Sequence, residues 1–360
     1  MSLDATYPFQ LPLLPCEAVP EDGSFGRLLV DTRVELAELK GACGSIPNPM
    51  LLTAPITVRE SVASSGIENI NTTVANVLQW QLFPEDEQSR PDKEVLRYRE
   101  AMNWGFENLG KLALSTRLIT GIQARLIPEG NGNYRREQNQ IVNLNNHEVL
   151  FTPPPANEIS RLMGNWENYV NREDTQTDPL IKAIIAHYQF EAIHPFRDGN
   201  GRTGRILMVL QLVQEGILNM PVLYISGYIN RHKSDYYKAL RAVTETSDWE
   251  AFIRFMLRGF QLQARNTRST LMDITGLYHQ LRERVRTGAK KIYSTELVEA
   301  LFTYPVLSPV KLAQLLGMHY TTTSRYLAKL AEMDILHEAM VGKYHLYANH
   351  QLIEILNKEL

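Results

Sequence analysis

Apolar residues recur every three or four positions along most of this chain, which is the spacing of an amphipathic helix. The spacing holds from residue 74 to residue 127 and again around Trp249 and Phe252. In the segment 206–213 nearly the whole helical circumference is apolar, as expected for a helix that is buried on every side. The hydrophobic pattern therefore predicts a mainly α-helical fold.

Two regions depart from helical spacing. Residues 1–54 are rich in proline, and we expect them to wrap the core as extended chain. The segments 140–144 and 149–152 have the composition of two short strands around the polar turn Asn145-Asn146-His147, so they predict a small β-hairpin at about residues 134–155. The prolines of the first region are Pro8, Pro12, Pro15, Pro20, Pro47 and Pro49.

The last part of the chain, about residues 291–360, predicts a winged helix-turn-helix domain. Ser308-Pro309 starts one helix, Gly317 makes the turn, and a second helix is expected over residues 321–333. A hairpin wing is expected within residues 335–347, where two short apolar segments flank Val-Gly-Lys.

This domain suggests two kinds of partner. The second helix is expected to expose four polar side chains that suit DNA phosphates or bases, although similar domains also serve as protein docking or dimer surfaces. These side chains are Thr322, Thr323, Arg325 and Lys329. A helical linker over residues 266–290 is expected to precede the domain.

Composition narrows the function classes. The formal net charge of the 360-residue chain is −3, so no overall positive field draws it to nucleic acid or to a membrane. Cys16 and Cys43 have no metal-binding or redox spacing, and no apolar run approaches membrane-spanning length. We therefore expect a soluble cytoplasmic enzyme with no membrane partner.

The segment 194–205, His-Pro-Phe-Arg-Asp-Gly-Asn-Gly-Arg-Thr-Gly-Arg, combines a base, a carboxylate, a glycine-rich turn and arginines. It lies between a helix that starts at Asp178-Pro179 and the buried helix of residues 206–213. A helix N-terminus has unpaired N–H groups and the positive end of the helix dipole, so it binds anions. Gly199 and Gly201 let the backbone approach phosphate oxygens closely. The segment therefore predicts a phosphate site.

Its side chains suggest the chemistry. Arg202 and Arg205 are three residues apart in the first helical turn, so both can point at one polyphosphate. Asp198 is placed as a magnesium ligand, because magnesium takes one or two carboxylates together with phosphate oxygens and water. His194 is left as the general base, since imidazole accepts a proton near neutral pH.

The same segment matches the H-P-F-x-D/E-G-N-G-R-x-x-R signature of the Fic family without a departure, and the chain resembles that family over about residues 55–265. The resemblance implies a Fic-type helical bundle that moves AMP from ATP to a protein hydroxyl, with His194 as base and Asp198 on Mg²⁺. Gly201 favours AMP transfer, since the related Doc toxins, which phosphorylate, have lysine there. The implied ATP phosphate site is Gly199, Asn200, Gly201, Arg202, Thr203, Gly204 and Arg205.

A second match to the family lies at residues 64–69, Ser-Ser-Gly-Ile-Glu-Asn, and resembles the S/T-x-x-x-E-G/N inhibitory motif. We expect an inhibitory helix at about residues 58–75 that carries Ser64, Glu68 and Asn69. The resemblance implies that Glu68 pairs with Arg205 and so blocks productive binding of the γ-phosphate. A carboxylate held by a guanidinium must be displaced before the triphosphate can use the same donors. The unmodified chain is therefore expected to be autoinhibited.

Two further features follow from the resemblance. The predicted hairpin is similar to the Fic flap, which aligns a target segment by strand-like pairing. Tyr236 or Tyr237 is expected at the nucleoside, and because adjacent helical positions face apart, one of the two is expected to contact it. Thr244 replaces an asparagine that some relatives use for the nucleotide.

Three functions stay open. The first is a Mg²⁺-dependent protein adenylyltransferase that modifies Ser, Thr or Tyr of a target protein and of itself. The second is removal of AMP at the same site, with Glu68 positioning water. The third is a DNA-binding regulator in which the Fic domain senses nucleotide, although His194 argues against a mere sensor. Family members with this inhibitory motif often form dimers, so a homodimer is expected.

Overall fold

In a computed structural model, the described residues are 4–15, 25–44, 49–84, 87–142, 146–173 and 177–358. The chain forms two compact units. Unit 1 comprises Met1–Ala37 and Arg97–Gln263, and unit 2 comprises Glu38–Leu96 and Ala264–Leu360. Within the described residues, no helix has both the length and the apolar character needed to cross a membrane.

Helices dominate both units. In chain order they are α1 (Gly26–Gly44), α2 (Pro49–Ile67), α3 (Val74–Trp80), α4 (Arg90–Leu112), α5 (Thr116–Leu126), α6 (Ile159–Asn171), α7 (Pro179–Ile193), α8 (Asn200–Gln214), α9 (Ile225–Arg231), α10 (Lys233–Thr246), α11 (Trp249–Gly288), α12 (Thr295–Thr303), α13 (Pro309–Leu316), α14 (Tyr320–Glu332) and α15 (His350–Asn357). The strands are β1 (Ile141–Val142), β2 (Val149–Phe151), β3 (Val306–Leu307), β4 (His337–Val341) and β5 (Tyr344–Ala348).

Helices α7 and α8 form the centre of unit 1. Helix α7 starts as expected, with Pro179 in the first turn and the Asp178 carboxylate accepting from the backbone N–H of Leu180 at 2.8 Å. Nearly every residue of both helices is buried, as the apolar circumference of residues 206–213 predicted for the second of them. Gly204 allows their close approach, because a Cβ there would overlap Oε1 of Glu191.

The expected N-terminal wrap is correct only in part. Residues 4–15 are non-helical, and they bind unit 1 through hydrogen bonds such as that from the Phe9 N–H to the Thr152 carbonyl at 2.9 Å. Extended chain beyond them was wrong, because residues 26–44 form helix α1. No proline occurs between Pro20 and Pro47, and apolar residues at helical spacing are buried there. Cys16, Pro20 and Pro47 lie outside the described residues.

The predicted hairpin is present. Strands β1 and β2 pair antiparallel, with Ile141 opposite Phe151 and Val142 opposite Val149, and the register shifts between the two pairs. The strands are shorter than expected, and residues 143–145 of the predicted strand and turn lie outside the described residues.

In the last part of unit 2 the elements follow one another as helix α12, strand β3, helices α13 and α14, strands β4 and β5, and helix α15, with sheet order β3-β5-β4. The two helices α13 and α14 and the hairpin β4–β5 lie where the sequence predicted two helices and a wing, and the assignment as a winged-helix domain stays a prediction. Ser308 caps α13 by accepting from the Lys311 N–H at 3.2 Å, and Gly317 ends it with φ 64°.

One expectation for this part of the chain was wrong. Thr323 is buried rather than exposed, because its hydroxyl donates to the Pro309 carbonyl at 2.8 Å. Arg325 and Lys329 are exposed as expected, and Thr322 is half-buried. Residues 266–288 of the expected helical linker are helical, since α11 continues unbroken from Trp249 to Gly288.

Candidate active site

His194 lies at the C-terminal end of α7. Its backbone is left-handed, with φ 50° and ψ 59°, and its N–H donates to the Phe190 carbonyl at 3.1 Å. The side chain is half-buried, and Nδ1 lies 3.4 Å from the Glu191 carbonyl oxygen. If Nδ1 carries the proton, this contact orients the ring and makes Nε2 the proton acceptor. The geometry suits the predicted general base.

Asn200 closes the loop between the two central helices. Its Oδ1 accepts from the Phe196 N–H and its Nδ2 donates to the Phe196 carbonyl, each at 2.8 Å. The Phe196 side chain is buried and anchors the loop. The amide of Asn200 is therefore engaged in shaping the loop, so any phosphate contact from this residue falls to its backbone N–H at the start of α8.

Asp198 stands at the same helix N-terminus. Its Oδ1 accepts from the Gly199 N–H at 2.6 Å and lies 3.7 Å from a guanidinium nitrogen of Arg202. Gly199 has φ 76°, a backbone conformation that glycine adopts without strain. Because the Asp198 side chain is 70% exposed, its carboxylate is open to a ligand above the loop.

A residue that the sequence analysis missed holds this loop in place. Gln123 of α5 is buried, donates to the Asp198 carbonyl at 2.7 Å and accepts from the Thr203 hydroxyl at 2.6 Å. The signal in the sequence was a glutamine on the otherwise apolar face formed by Leu118, Ile119, Ile122 and Leu126. Buried amides in such positions are generally hydrogen-bonded, so it marked a polar partner in the core.

Two of the three arginines of the motif are buried. Arg202 and Arg205 are 2% and 1% exposed, whereas Arg197 is exposed. Beside Arg205, burial and then the positive charge of Arg205 lower the pKa of His187 to about 3. The Nε2 of His187 lies 2.8 Å from the Tyr236 hydroxyl. His187 is thus neutral at physiological pH and adds no positive charge next to the arginine.

Arg135 ties the base of the hairpin to the motif, and no sequence pattern singled it out. Its guanidinium donates to the carbonyls of His194 at 2.9 Å, Glu137 at 3.0 Å and Pro154 at 2.5 Å. Its own N–H donates to the Pro195 carbonyl at 2.9 Å. One buried side chain therefore joins both ends of the hairpin segment to the backbone of His194.

The two candidate nucleoside residues are placed differently. Tyr236 is 2% exposed and its hydroxyl bonds His187, so it belongs to the core of unit 1. Tyr237 is 45% exposed, which leaves it as the candidate for nucleoside contact. Thr244 lies 2.9 Å from the Tyr188 hydroxyl and donates to the Leu240 carbonyl at 3.1 Å, so its side chain takes part in helix packing.

The segment that resembles the inhibitory motif lies at the end of α2. Ser64 is buried, whereas Glu68 is half-buried and follows the last helical residue, with its N–H donating to the Ser65 carbonyl at 3.0 Å. A single helix over residues 58–75 was wrong, because Asn69 is left-handed at φ 62° and Thr73 caps a new helix, α3.

Comparison with known proteins gives matches along most of the chain. A model described as Fic/DOC family N-terminal matches residues 27–107, and one described as Fic/DOC family matches residues 113–212. A third, described as protein adenylyltransferase SoFic-like, C-terminal domain, matches residues 277–352.

Curated relatives are named protein adenylyltransferases, as is the third family model. A probable protein adenylyltransferase of Aquifex aeolicus is 34% identical over 171 residues, which are 47% of this chain and 48% of the relative. Protein adenylyltransferase Fic of Drosophila grimshawi is 31% identical over 202 residues, which are 54% of this chain and 39% of that protein. The matches thus span about half or less of the length of these relatives.

Solved structures share the fold. A Fic family protein from Desulfovibrio desulfuricans matches with TM-score 0.57 at 22% identity, covering 95% of this chain and 98% of that one. Fic-1 from C. elegans matches with TM-score 0.52 at 19% identity, covering 67% of this chain and 70% of that one. With the complete motif at residues 194–205 and the family matches on both sides of it, the chain belongs to the Fic/DOC family.

Proposed function

We propose that the chain is a protein adenylyltransferase that moves AMP from ATP to a Ser, Thr or Tyr hydroxyl of a protein. The hydroxyl oxygen attacks the α-phosphorus, the bond from that phosphorus to the bridging oxygen breaks, and pyrophosphate leaves. The hydroxyl proton passes to Nε2 of His194. The names of the relatives and the motif support this reaction class.

The observation that carries the proposal is the placement of His194 and Asp198 at the two ends of one short loop. His194 ends α7, with Nδ1 3.4 Å from the Glu191 carbonyl, and Asp198 stands beside the N-terminus of α8. A helix N-terminus with a glycine at its cap is a ready anion site. The base and the phosphate cradle are thus fixed to each other by the loop.

The residues at this terminus fit a magnesium ion, which would arrive with ATP. The exposed Asp198 carboxylate is an oxygen ligand of the kind that magnesium uses together with phosphate oxygens and water. When bound, the ion supplies positive charge to the triphosphate. We assign Asp198 as its protein ligand, while Arg202 and Arg205 hold phosphate oxygens through charge-assisted hydrogen bonds.

Autoinhibition is proposed from the sequence resemblance. Glu68 would compete with the γ-phosphate for Arg205, and it lies in the turn that follows α2. Displacement of Glu68 would then restore the triphosphate site. Self-modification, a homodimer, a cytoplasmic location and DNA binding through α14 stay predictions from the sequence.

The test is intact-mass spectrometry of the purified chain after incubation with ATP and Mg²⁺. We expect an added AMP on the Glu68→Gly variant, less on the unmodified chain, and none when His194→Ala is combined with Glu68→Gly. The exposed residues Glu245 and His279 give matched controls: Glu245→Gly should behave as the unmodified chain, and His279→Ala should leave the activity of Glu68→Gly unchanged.

Two outcomes would count against the proposal. Equal AMP transfer by Glu68→Gly and the unmodified chain would remove the autoinhibition. A Glu68→Gly variant that carries no AMP and transfers none to the proteins of a cell extract, but strips AMP from an AMP-modified protein, would reverse the direction of the reaction.

A further inference from the structure

Three metal-type ligands meet in unit 2, far along the chain from the Fic motif. Asp334, His337 and His350 each offer a ligand atom, and these atoms all lie within 4.8 Å of one another. Asp334 is in the turn after α14 with φ 53°, His337 begins β4, and His350 begins α15. Three different elements thus bring the group together.

The backbone positions of the two histidines are well fixed. His337 pairs with Ala348 in the register of β4 and β5. Asn349, which precedes His350, is fully buried, donates its N–H to the Pro305 carbonyl at 2.7 Å and caps α15 by accepting from the Leu352 N–H at 3.2 Å. The backbone therefore holds the two histidine residues at a fixed distance from each other.

One nitrogen of this group has no hydrogen-bond partner among the described residues. The imidazole rings of His337 and His350 are stacked, with centroids 3.6 Å apart and planes 8° from parallel, and Nε2 of His337 lies 3.6 Å from Oδ1 of Asp334. Among the described residues, the buried Nδ1 of His350 has no hydrogen-bond partner. A buried polar atom without a partner is costly unless something binds it.

We propose that Asp334, His337 and His350 form a binding site for a divalent transition metal of the Zn²⁺ type, with water completing the coordination. Two imidazoles and one carboxylate suit zinc, whereas magnesium and calcium prefer oxygen ligands alone. Bonds of about 2.0–2.1 Å in a tetrahedron put ligand atoms about 3.3 Å apart. The ligand atoms lie within 4.8 Å of one another, so the exposed side chains of Asp334 and His337 would rotate to take up this spacing around an ion.

The bound ion would join the turn after α14, strand β4 and helix α15. The ligands come from elements that the chain brings together only when it is folded, with β4 at the edge of the three-stranded sheet. An ion that binds the folded state and not the unfolded state would therefore stabilise this domain by mass action. The proposal is separate from AMP transfer, since none of its three ligands belongs to the Fic motif.

Binding is measured on the untagged, chelator-treated full chain in millimolar Mg²⁺, which keeps Asp198 from taking the probe. Co²⁺ is titrated and followed by its visible absorption, and Zn²⁺ is then used to displace it. We expect one saturable site, and at least tenfold weaker binding in His337→Ala and in His350→Ala. Zn²⁺ should also raise the melting temperature of the unmodified chain but not that of the double variant.

The control is His345→Ala, which removes another histidine of the same hairpin that contacts a carboxylate, Glu338. It should bind Co²⁺ as the unmodified chain does, and circular dichroism should show that every variant is folded. Wild-type affinity in the folded His337→Ala/His350→Ala variant, equal loss in His345→Ala, or no saturable binding by the unmodified chain would each overturn the proposal.

Discussion

Gln123 is the residue whose replacement tests the structural reasoning most directly. It connects α5 to the active-site loop by two hydrogen bonds, to the Asp198 carbonyl at 2.7 Å and from the Thr203 hydroxyl at 2.6 Å. Gln123→Leu keeps the approximate size of the side chain and removes both hydrogen bonds. The buried Thr203 hydroxyl then loses the only side-chain acceptor that it has among the described residues.

The expected cost follows from burial. A buried polar group left without a partner costs about 1–3 kcal/mol. Thr203 is 0% exposed and Gln123 is 3% exposed, so we expect Gln123→Leu to lower the free energy of unfolding by about 2 kcal/mol. For a unit of this size, about 2 kcal/mol corresponds to a fall in melting temperature of roughly 4–8 °C.

Urea unfolding of four variants measures this loss of stability directly. Thr203→Val removes the stranded hydroxyl, so the double variant Gln123→Leu/Thr203→Val should be about 1 kcal/mol more stable than the sum of the two single changes predicts. Gln138→Leu is the matched control, because Gln138 is exposed and donates to a backbone carbonyl, that of Pro153, at 2.8 Å. It should change stability by less than about 0.5 kcal/mol.

Two results would refute the reasoning. A cost of Gln123→Leu no greater than that of Gln138→Leu would mean that the buried amide is not needed. Strict additivity of Gln123→Leu and Thr203→Val would mean that the two side chains do not interact in solution. If the reasoning holds, AMP transfer by the Glu68→Gly background should fall as well, since the carbonyl of Asp198 loses its support.

The remaining predictions concern the helices and the hairpin around the site. Gly204→Ala should cost about 1–3 kcal/mol by thermal unfolding, because its Cβ would overlap Glu191, whereas Gly110→Ala in an open part of α4 should be neutral or stabilising. Arg135→Lys cannot donate to three carbonyls in one plane, so limited proteolysis should cut the hairpin faster than in the unmodified chain. The pKa of His187 is about 3 when folded and about 6.5 when unfolded, so the unfolded state takes up the proton first as the pH falls. The contribution of neutral His187 to the free energy of unfolding is complete above about pH 6.5 and is lost as the pH falls toward 3. Uptake of one proton on unfolding changes that free energy by up to about 1.4 kcal/mol per pH unit, and His187→Gln should remove this pH dependence.

The sequence predicted the features that depend on residues close to one another in the chain. The twelve residues of the motif are consecutive, so their position between the two helices followed from the apolar runs on each side. Residues 194–199 form the loop, and residues 200–205 form the first turns of α8. The start of α13 at Ser308-Pro309 and its end at Gly317 followed in the same way, since caps are local signals.

Several expectations were wrong because a second feature, in the sequence or in the fold, outweighed the local signal on which they were based. Prolines at the edges of the N-terminal region suggested extended chain, but the proline-free stretch between them has helical spacing and forms α1. Thr323 was expected on the surface because threonine is polar, yet its hydroxyl finds a buried carbonyl that only the fold brings near. The inhibitory helix ends early because Asn69 takes a left-handed backbone.

By itself the sequence determined the family and the central helices and indicated the candidate reactive side chains, because the motif is contiguous and helical periodicity is a property of neighbouring residues. The tertiary structure decided which side chains support the site. Gln123 is 75 positions from Asp198, and Arg135 is 59 positions from His194. A hydrogen bond between residues so far apart in the chain produces no periodic pattern in the sequence. It also put Tyr236 in the core and Tyr237 at the surface, since burial is settled by what packs against a helix rather than by the helix alone.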